Sequence, residues 1–114
     1  MHEISIAGDL SEIVLEVAAS EKLAKVTKVN ICFGQLIQIV PDLFISAFGE
    51  IVKDTVAKDA EVDIEIIKVK LACKECKHEF LPVKNKFICS CCGSGDIDII
   101  KGKEMFIKSI EGDR

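Results

Sequence analysis

The chain has 114 residues, which allows one ordinary domain or one small core with a metal-stapled appendage and excludes two large independent cores. Hydrophobic residues make up 49% and charged residues 30% of the chain, a balance that excludes a disordered protein. The formal net charge is -4, which disfavours a nucleic-acid partner because phosphates attract positive charge.

The first predicted elements are a helix and a strand. From residue 6 to residue 17, apolar residues recur three and four positions apart, which predicts an amphipathic helix that ends near residues 21–23. Residues 26–33 alternate between apolar and polar, which predicts a half-buried strand closed by Gly34. We therefore expect a helix that leads directly into a strand.

A second helix is predicted to begin at Pro41 and Asp42, with Asp42 as its N-cap. Its apolar stripe includes Phe44 and Phe48 and continues to about Ala57. Because the stripe again has helical spacing, this helix is expected to pack one face on the same core as the first.

The rest of the chain predicts strands around a cysteine-rich segment. Residues 62–70 alternate, but the apolar positions change phase at Ile66 and Ile67, which we interpret as a β-bulge. The segment 97–110 is apolar-rich with an interruption at Lys101 and Gly102, and it predicts one or two strands, of which the last is expected to return to the first sheet. The fold class is therefore α+β: a small mixed α/β lobe, with two helices packed on a roughly three-stranded sheet, and an inserted lobe that holds the cysteines.

The cysteine spacing predicts a structural zinc site. Cys73 and Cys76 form one C-x2-C pair, Cys89 and Cys92 form a second, and a spacer of twelve residues separates the pairs. Two such turns complete the four-sulfur tetrahedral shell that zinc prefers. A closed shell leaves no position for water, so the ion is expected to stabilise a zinc-ribbon-like lobe and not to catalyse a reaction.

The other two cysteines and His78 each need an interpretation of their own. Cys91 competes with Cys92 for the fourth position, but the register that ends in Gly93 favours Cys92 and makes Cys91 a spare thiol. Cys32 is interpreted as a small buried hydrophobic residue within the strand. His78 is either a loop histidine or a group that approaches the zinc from outside its ligand shell.

The cellular compartment is expected to be the cytoplasm. No apolar run approaches the roughly 20 residues that span a bilayer, and the first ten residues lack the basic charge of a secretory signal. Thiols stay reduced in the cytosol, so six cysteines favour metal ligation over disulfides. We expect no membrane association.

The amino terminus offers a second set of metal ligands. The amine of Met1, the amide nitrogen of His2 and the imidazole of His2 form adjacent chelate rings, and the amide or carboxylate of Glu3 supplies a fourth donor. Square-planar nitrogen sites of this kind suit Ni(II) and Cu(II). Taken alone, the pattern leaves a frayed terminus without a ligand as the alternative.

The combination of these features resembles the HypA/HybF family. The resemblance covers essentially the whole chain and rests on the opening residues Met1, His2 and Glu3, the strand that ends in Gly34, the helix segment 44–48, and the paired cysteines that close in Cys92-Gly93-Ser94. It implies a nickel metallochaperone for maturation of nickel–iron hydrogenase, in some organisms also for urease. It also implies a mixed α/β nickel lobe with an attached zinc lobe.

The resemblance assigns residues and partners. Met1, His2 and Glu3 become the nickel site, and the four cysteines at positions 73, 76, 89 and 92 become the zinc site. The implied domains are a nickel-binding domain, 1–70 completed by a C-terminal strand at 98–112, and a zinc-binding domain, 71–97. Expected partners are a HypB-type nickel GTPase, the hydrogenase large subunit and urease accessory proteins; an exposed edge strand also permits a homodimer.

Two other classes of function compete with this interpretation. A zinc-ribbon module that binds protein or nucleic acid is favoured by the lysines at positions 74, 77, 84 and 86, but Glu75 and Glu79 interleave with them and the chain has no Trp or Tyr for base stacking. An enzyme is disfavoured because the H-E-x-x-H, phosphate-loop and nucleophile-elbow motifs are missing.

Overall fold

The computed structural model describes residues 3–82 and 86–114. In chain order the elements are α1 (Glu3–Ser20), β1 (Lys25–Gly34), a 3-10 turn (Gln35–Ile37), α2 (Pro41–Val52), β2 (Glu61–Ile67), β3 (Lys70–Cys73), β4 (Glu79–Phe80), β5 (Ile97–Lys101) and β6 (Met105–Asp113). These elements confirm the predicted α+β class. None of the helices in the described ranges is long and apolar enough to cross a membrane.

The first sheet has the order β2-β1-β6. Strand β1 is parallel to β2, because α2 forms the crossover between them, and it is antiparallel to β6. Ile31 in the central strand lies opposite Ile64 on one side and Ile107 on the other. The predicted return of the last strand to the first sheet is therefore confirmed. We call α1, α2 and this sheet the helix–sheet lobe.

The hydrophobic core lies between the two helices and one face of the first sheet. Phe33 of β1 meets Phe44 of α2 edge to face, with ring centroids 5.2 Å apart, and Phe48 stacks on Phe44 at 6.0 Å. Ile6, Leu10 and Val14 of the stripe predicted for α1 supply the opposite wall, whereas Ile13 and Val17 of the same stripe are exposed. The main core residues are Ile6, Leu10, Val14, Val26, Val29, Ile31, Phe33, Phe44, Phe48 and Val52. Burial of these side chains from both helices fixes the helices on the sheet.

The second sheet has the order β4-β3-β5, and both of its pairings are antiparallel. Together with the cysteine turns it forms what we call the cysteine lobe, residues 70–101. The predicted β-bulge at Ile66 and Ile67 is wrong, because β2 ends at Ile67 and β3 begins in the other sheet at Lys70. The change of phase marks a change of sheet.

The chain passes between the two lobes at residues 68–69 and 102–104, and we call this region the crossing. Backbone hydrogen bonds around Gly34 and Gly102 hold it in place. The Gly34 N–H donates to the Glu104 carbonyl at 2.7 Å, and the Leu36 N–H donates to the Gly102 carbonyl at 2.8 Å. A Cβ added to Gly34 would lie 2.1 Å from the carbonyl carbon of Gly102. The 3-10 turn also contributes, since the Gln35 Oε1 accepts from the Val69 N–H at 3.0 Å.

Two details of the second helix differ from the prediction. The helix ends at Val52 and not near Ala57, because the Thr55 hydroxyl donates to the Val52 carbonyl at 2.7 Å and accepts from the Ala57 N–H at 3.1 Å, which favours a turn. Its N-cap residue is Val40, and Asp42 lies inside the first turn. Pro41 at the first helical position, with its fixed φ, accounts for the shift.

The domain boundaries remain a prediction. Strand β5, residues 97–101, pairs with β3 in the second sheet, so only β6 completes the first sheet. The chain enters the cysteine lobe at residues 68–69 and leaves it at residues 102–104.

Candidate metal centres

The four predicted zinc ligands come together at one end of the second sheet. Their sulfur atoms all lie within 4.8 Å of one another, with Cys73 to Cys92 at 3.6 Å and Cys76 to Cys89 at 3.5 Å. Four sulfurs bound tetrahedrally to zinc at 2.3 Å would lie about 3.8 Å apart. A disulfide requires about 2.05 Å, so these spacings fit a shared metal and not a covalent bridge. The cluster therefore fits a structural zinc ion.

The two cysteine turns repeat one backbone geometry. The Cys76 N–H approaches the Cys73 sulfur at 3.5 Å, and the Cys92 N–H approaches the Cys89 sulfur at 3.4 Å. In each turn the residue after the second cysteine has positive φ: Lys77 at 64° and Gly93 at 76°. Its N–H then donates to the carbonyl of the first cysteine at 3.0 Å for Lys77 and 2.9 Å for Gly93. The glycine predicted to aid the second turn has a non-glycine counterpart in the first.

The electrostatics of the cluster favour a thiolate at Cys89. The backbone N–H of Cys92 is the main cause that lowers the pKa of the Cys89 thiol to about 6, and the N–H of Cys91 adds to it. At Cys76 the backbone N–H of His78 also lowers the pKa, but the contact with the Cys89 sulfur and desolvation outweigh it and raise the pKa to about 12. A cation bound by the four sulfurs would displace the thiol protons that remain.

The remaining cysteines lie outside the cluster. Cys91 is exposed, and its backbone N–H, not its thiol, faces the Cys89 sulfur at 3.3 Å. Cys32 is 2% exposed on β1, and burial, followed by the Glu65 carboxylate, raises the pKa of its thiol. The ring of His78 stacks on Phe80 with centroids 5.9 Å apart. None of the three belongs to the four-residue metal cluster found among the described residues.

The amino-terminal site is only partly described. Met1 and His2 lie outside the described residues, so the predicted nickel ligands there stay predictions. Glu3 is the first residue of α1, and its Oε2 accepts a hydrogen bond from the Val40 N–H at 3.0 Å. The carboxylate thereby ties the start of α1 to the N-terminus of α2. Sequence reasoning missed Val40 as its partner, and Pro41 was the signal that placed a helix start there.

Of the four lysines that favour the nucleic-acid interpretation, Lys74 is paired with carboxylates, and Lys84 lies outside the described residues. Lys74 lies 3.5 Å from Asp98 and 3.6 Å from Asp96, and these two charges raise the pKa of its ammonium. Lys70 pairs with Glu79 at 3.0 Å. The positive charges of Lys70 and Lys74 are therefore balanced by neighbouring carboxylates, which weakens the nucleic-acid interpretation.

The fold and the four-cysteine cluster define a small α+β metal-binding protein that joins a helix–sheet lobe to a zinc-ribbon-like lobe. The family model described as hydrogenase/urease nickel incorporation metallochaperone HypA matches residues 1–112, and the chain belongs to this family.

Related sequences and a solved structure support the same family. The hydrogenase maturation factor HypA of Desulfatibacillum aliphaticivorans is 39% identical over 97% of this chain and 86% of its own length. That of Aquifex aeolicus is 37% identical over 97% of this chain and 96% of its own. The solution structure of the nickel metallochaperone HypA from Helicobacter pylori is 34% identical, covers 99% of this chain and 98% of that one, and superposes with a TM-score of 0.72.

Proposed function

We propose that this chain is a nickel metallochaperone that captures Ni(II) at its amino terminus and delivers it for maturation of nickel–iron hydrogenase. The match of the HypA family model from Met1 onward is the observation that carries the proposal. In this mechanism the Met1 amine, the His2 amide nitrogen and the His2 imidazole take three corners of a square plane.

For the fourth corner we favour the backbone nitrogen of Glu3 over its carboxylate. The position of the carboxylate supports this choice, because its Oε2 already accepts from the Val40 N–H. The side chain of Glu3 then positions the arm while the backbone binds the ion. Release follows by ligand exchange, as donors of the recipient replace the nitrogens one at a time.

The zinc ion is proposed to be held by Cys73, Cys76, Cys89 and Cys92, where it would cross-link the two turns. The sulfur spacings support this assignment. Four thiolates complete the preferred coordination of zinc, so we propose no catalytic role for the ion and no enzymatic activity for the chain.

The proposed partners are those of the hydrogenase pathway: a HypB-type nickel GTPase and the hydrogenase large subunit, with urease accessory proteins as further recipients. Among the described residues, β2 and β6 are the edge strands of the first sheet, and their outer edges are proposed as a surface for a homodimer. We place the protein in the cytoplasm, since a four-thiolate site requires reduced cysteines.

The decisive experiment is a nickel titration of untagged protein beside a variant that carries one extra glycine before Met1. The extension moves the amine out of the chelate, so the absorption band of planar Ni(II) is expected to disappear while zinc content stays unchanged. A variant with one glycine added after Arg114 controls for the added residue, and His2→Ala should also lose the band. Equal nickel binding by the amino-terminally extended protein would refute the site.

A further inference from the structure

An apolar groove of about 540 Å³ runs between the start of α1 and the outer side of α2. Leu43, Ala47 and Ile51 line it from α2 at four-residue spacing, so their side chains form one straight ridge. Ile4 faces them from α1 and is 74% exposed, while Leu43 is 57% and Ile51 is 40% exposed. The opposite side of α2 packs Phe44, Phe48 and Val52 into the core and leaves Leu43 and Ile51 exposed.

The two helices that form the groove carry only acidic charges. Helix α1 carries four acidic residues, α2 carries two, and neither contains a Lys or Arg: Glu3, Asp9, Glu12, Glu16, Asp42 and Glu50. All 15 basic residues of the chain therefore lie outside the two helices. Glu3 and Glu50 line the groove itself. Lys53, just past the end of α2, contacts Glu50 at 3.1 Å and offsets its charge, so the negative charge of the two helices comes mainly from their other acidic residues.

From this geometry we propose that the groove docks a cationic amphipathic helix of a partner protein. Apolar residues at helical spacing on the partner would fill the ridge of Leu43, Ala47 and Ile51, and Lys or Arg side chains beside them would face the acidic helices. A helix is favoured over a strand because the backbone groups of α1 and α2 are used within the helices and offer no edge for strand pairing.

The same charge disfavours other occupants. In a symmetric pair of this chain, two acidic helical layers would face each other, which places like charges together across the interface. Nucleic acid and anionic lipid surfaces are repelled for the same reason. The occupant that fits the groove is therefore a positively charged segment of a partner protein. Since Glu3 lines the groove and follows His2 in the chain, the docked helix would lie beside the nickel ligands, a consequence that rests on the proposed function.

The test uses zinc-loaded, nickel-free full-length protein and a labelled peptide of about 16 residues, long enough to form a helix. Along the peptide, Leu occupies positions i, i+3, i+4 and i+7, which form one face of the helix. Lys occupies the positions on either side of that face. Saturable one-to-one binding is expected by fluorescence anisotropy, with NMR shifts confined to Ile4, Leu43, Ala47, Ile51 and their neighbours. A scrambled peptide of the same composition and a peptide with Glu for Lys should both fail to bind.

A matched pair of variants locates the site. Ile51→Lys and Ile13→Lys add the same charge to exposed helix positions, 40% and 45% exposed, but only Ile51 lines the groove. Ile51→Lys should weaken peptide binding at least tenfold, and Ile13→Lys should change it by less than about twofold. Equal weakening by both variants, equal binding of the scrambled peptide, or no binding at all would overturn the proposal. So would a concentration-dependent dimer that Ile51→Lys abolishes, because the occupant would then be a second copy. Nickel titration is measured separately, so either proposal can fail alone.

Discussion

The two lobes are stabilised by different physical means. In the helix–sheet lobe, α1, α2, β1 and their neighbours share one hydrophobic cluster that includes Phe33, Phe44 and Phe48. In the described part of the cysteine lobe, residues 70–82 and 86–101, the buried apolar side chains are Leu71, Cys73 and Cys89, two of them metal-site cysteines. The first lobe therefore has a hydrophobic core of its own, whereas the second buries so few apolar side chains that we expect its folding to depend on a bound metal.

The largest expected effect comes from removal of a zinc ligand. Cys89→Ser should lower the zinc content from about one ion per chain to nearly none and disorder β3–β5, because metal ligation contributes folding energy on the order of 10 kcal/mol. Zinc analysis and NMR spectra measure both effects. The helical circular dichroism of α1 and α2 should persist. Cys91→Ser is the matched control and should keep its zinc. Global unfolding of Cys89→Ser would show that the helix–sheet lobe does not stay folded when the cysteine lobe is disordered.

Truncation of a core side chain should destabilise the helix–sheet lobe and leave the zinc site intact. Phe44→Ala removes a ring that packs against Phe33 and Phe48, so the free energy of unfolding should fall by about 3–5 kcal/mol. Urea unfolding followed through the helices measures the loss, while zinc content should be unchanged. Ile45→Ala, at a side chain 39% exposed, should cost less than about 1 kcal/mol. Comparable losses in the two variants would contradict the assigned core.

The crossing between the lobes should be sensitive to one methyl group. Gly34→Ala places a Cβ against the backbone of Gly102 and should destabilise the protein by about 1–3 kcal/mol, with NMR changes at Leu36 and Glu104. Gly49→Ala adds the same methyl group within α2, where nothing lies within 4 Å, and should stabilise the protein by about 1 kcal/mol. If Gly34→Ala is neutral, the crossing is looser than the hydrogen bonds indicate.

The smallest effect is expected at the tether of the amino-terminal arm. Glu3→Gln weakens the acceptor for the Val40 N–H and should cost roughly 0.5 kcal/mol, seen as faster hydrogen exchange at Val40. Glu12→Gln removes the same charge from the same helix and should leave that exchange rate unchanged. Nickel affinity should also stay within about twofold in Glu3→Gln, since the proposed ligand is a backbone nitrogen; loss of the planar nickel band would make the carboxylate the ligand.

Sequence reasoning was most successful where one local pattern controls the outcome. The stripe from Ile6 and the alternation that ends at Phe33 predicted α1 and β1, because helix and strand periods differ clearly. It failed at Ile67, where the same change of phase marks either a bulge or the end of a sheet. It also failed at Thr55, whose hydroxyl competes with the helix for backbone groups.

The sequence by itself predicted the four-sulfur cluster, since the spacing of Cys73, Cys76, Cys89 and Cys92 brings two sulfurs together within each tight turn. Only the tertiary structure decided how the two turns meet, how Gly34 and Gly102 join the lobes, and that Glu3 reaches Val40 across the helices. The physical reason is distance along the chain. Contacts within a turn follow from local geometry, whereas contacts between distant residues depend on the packing of the whole core.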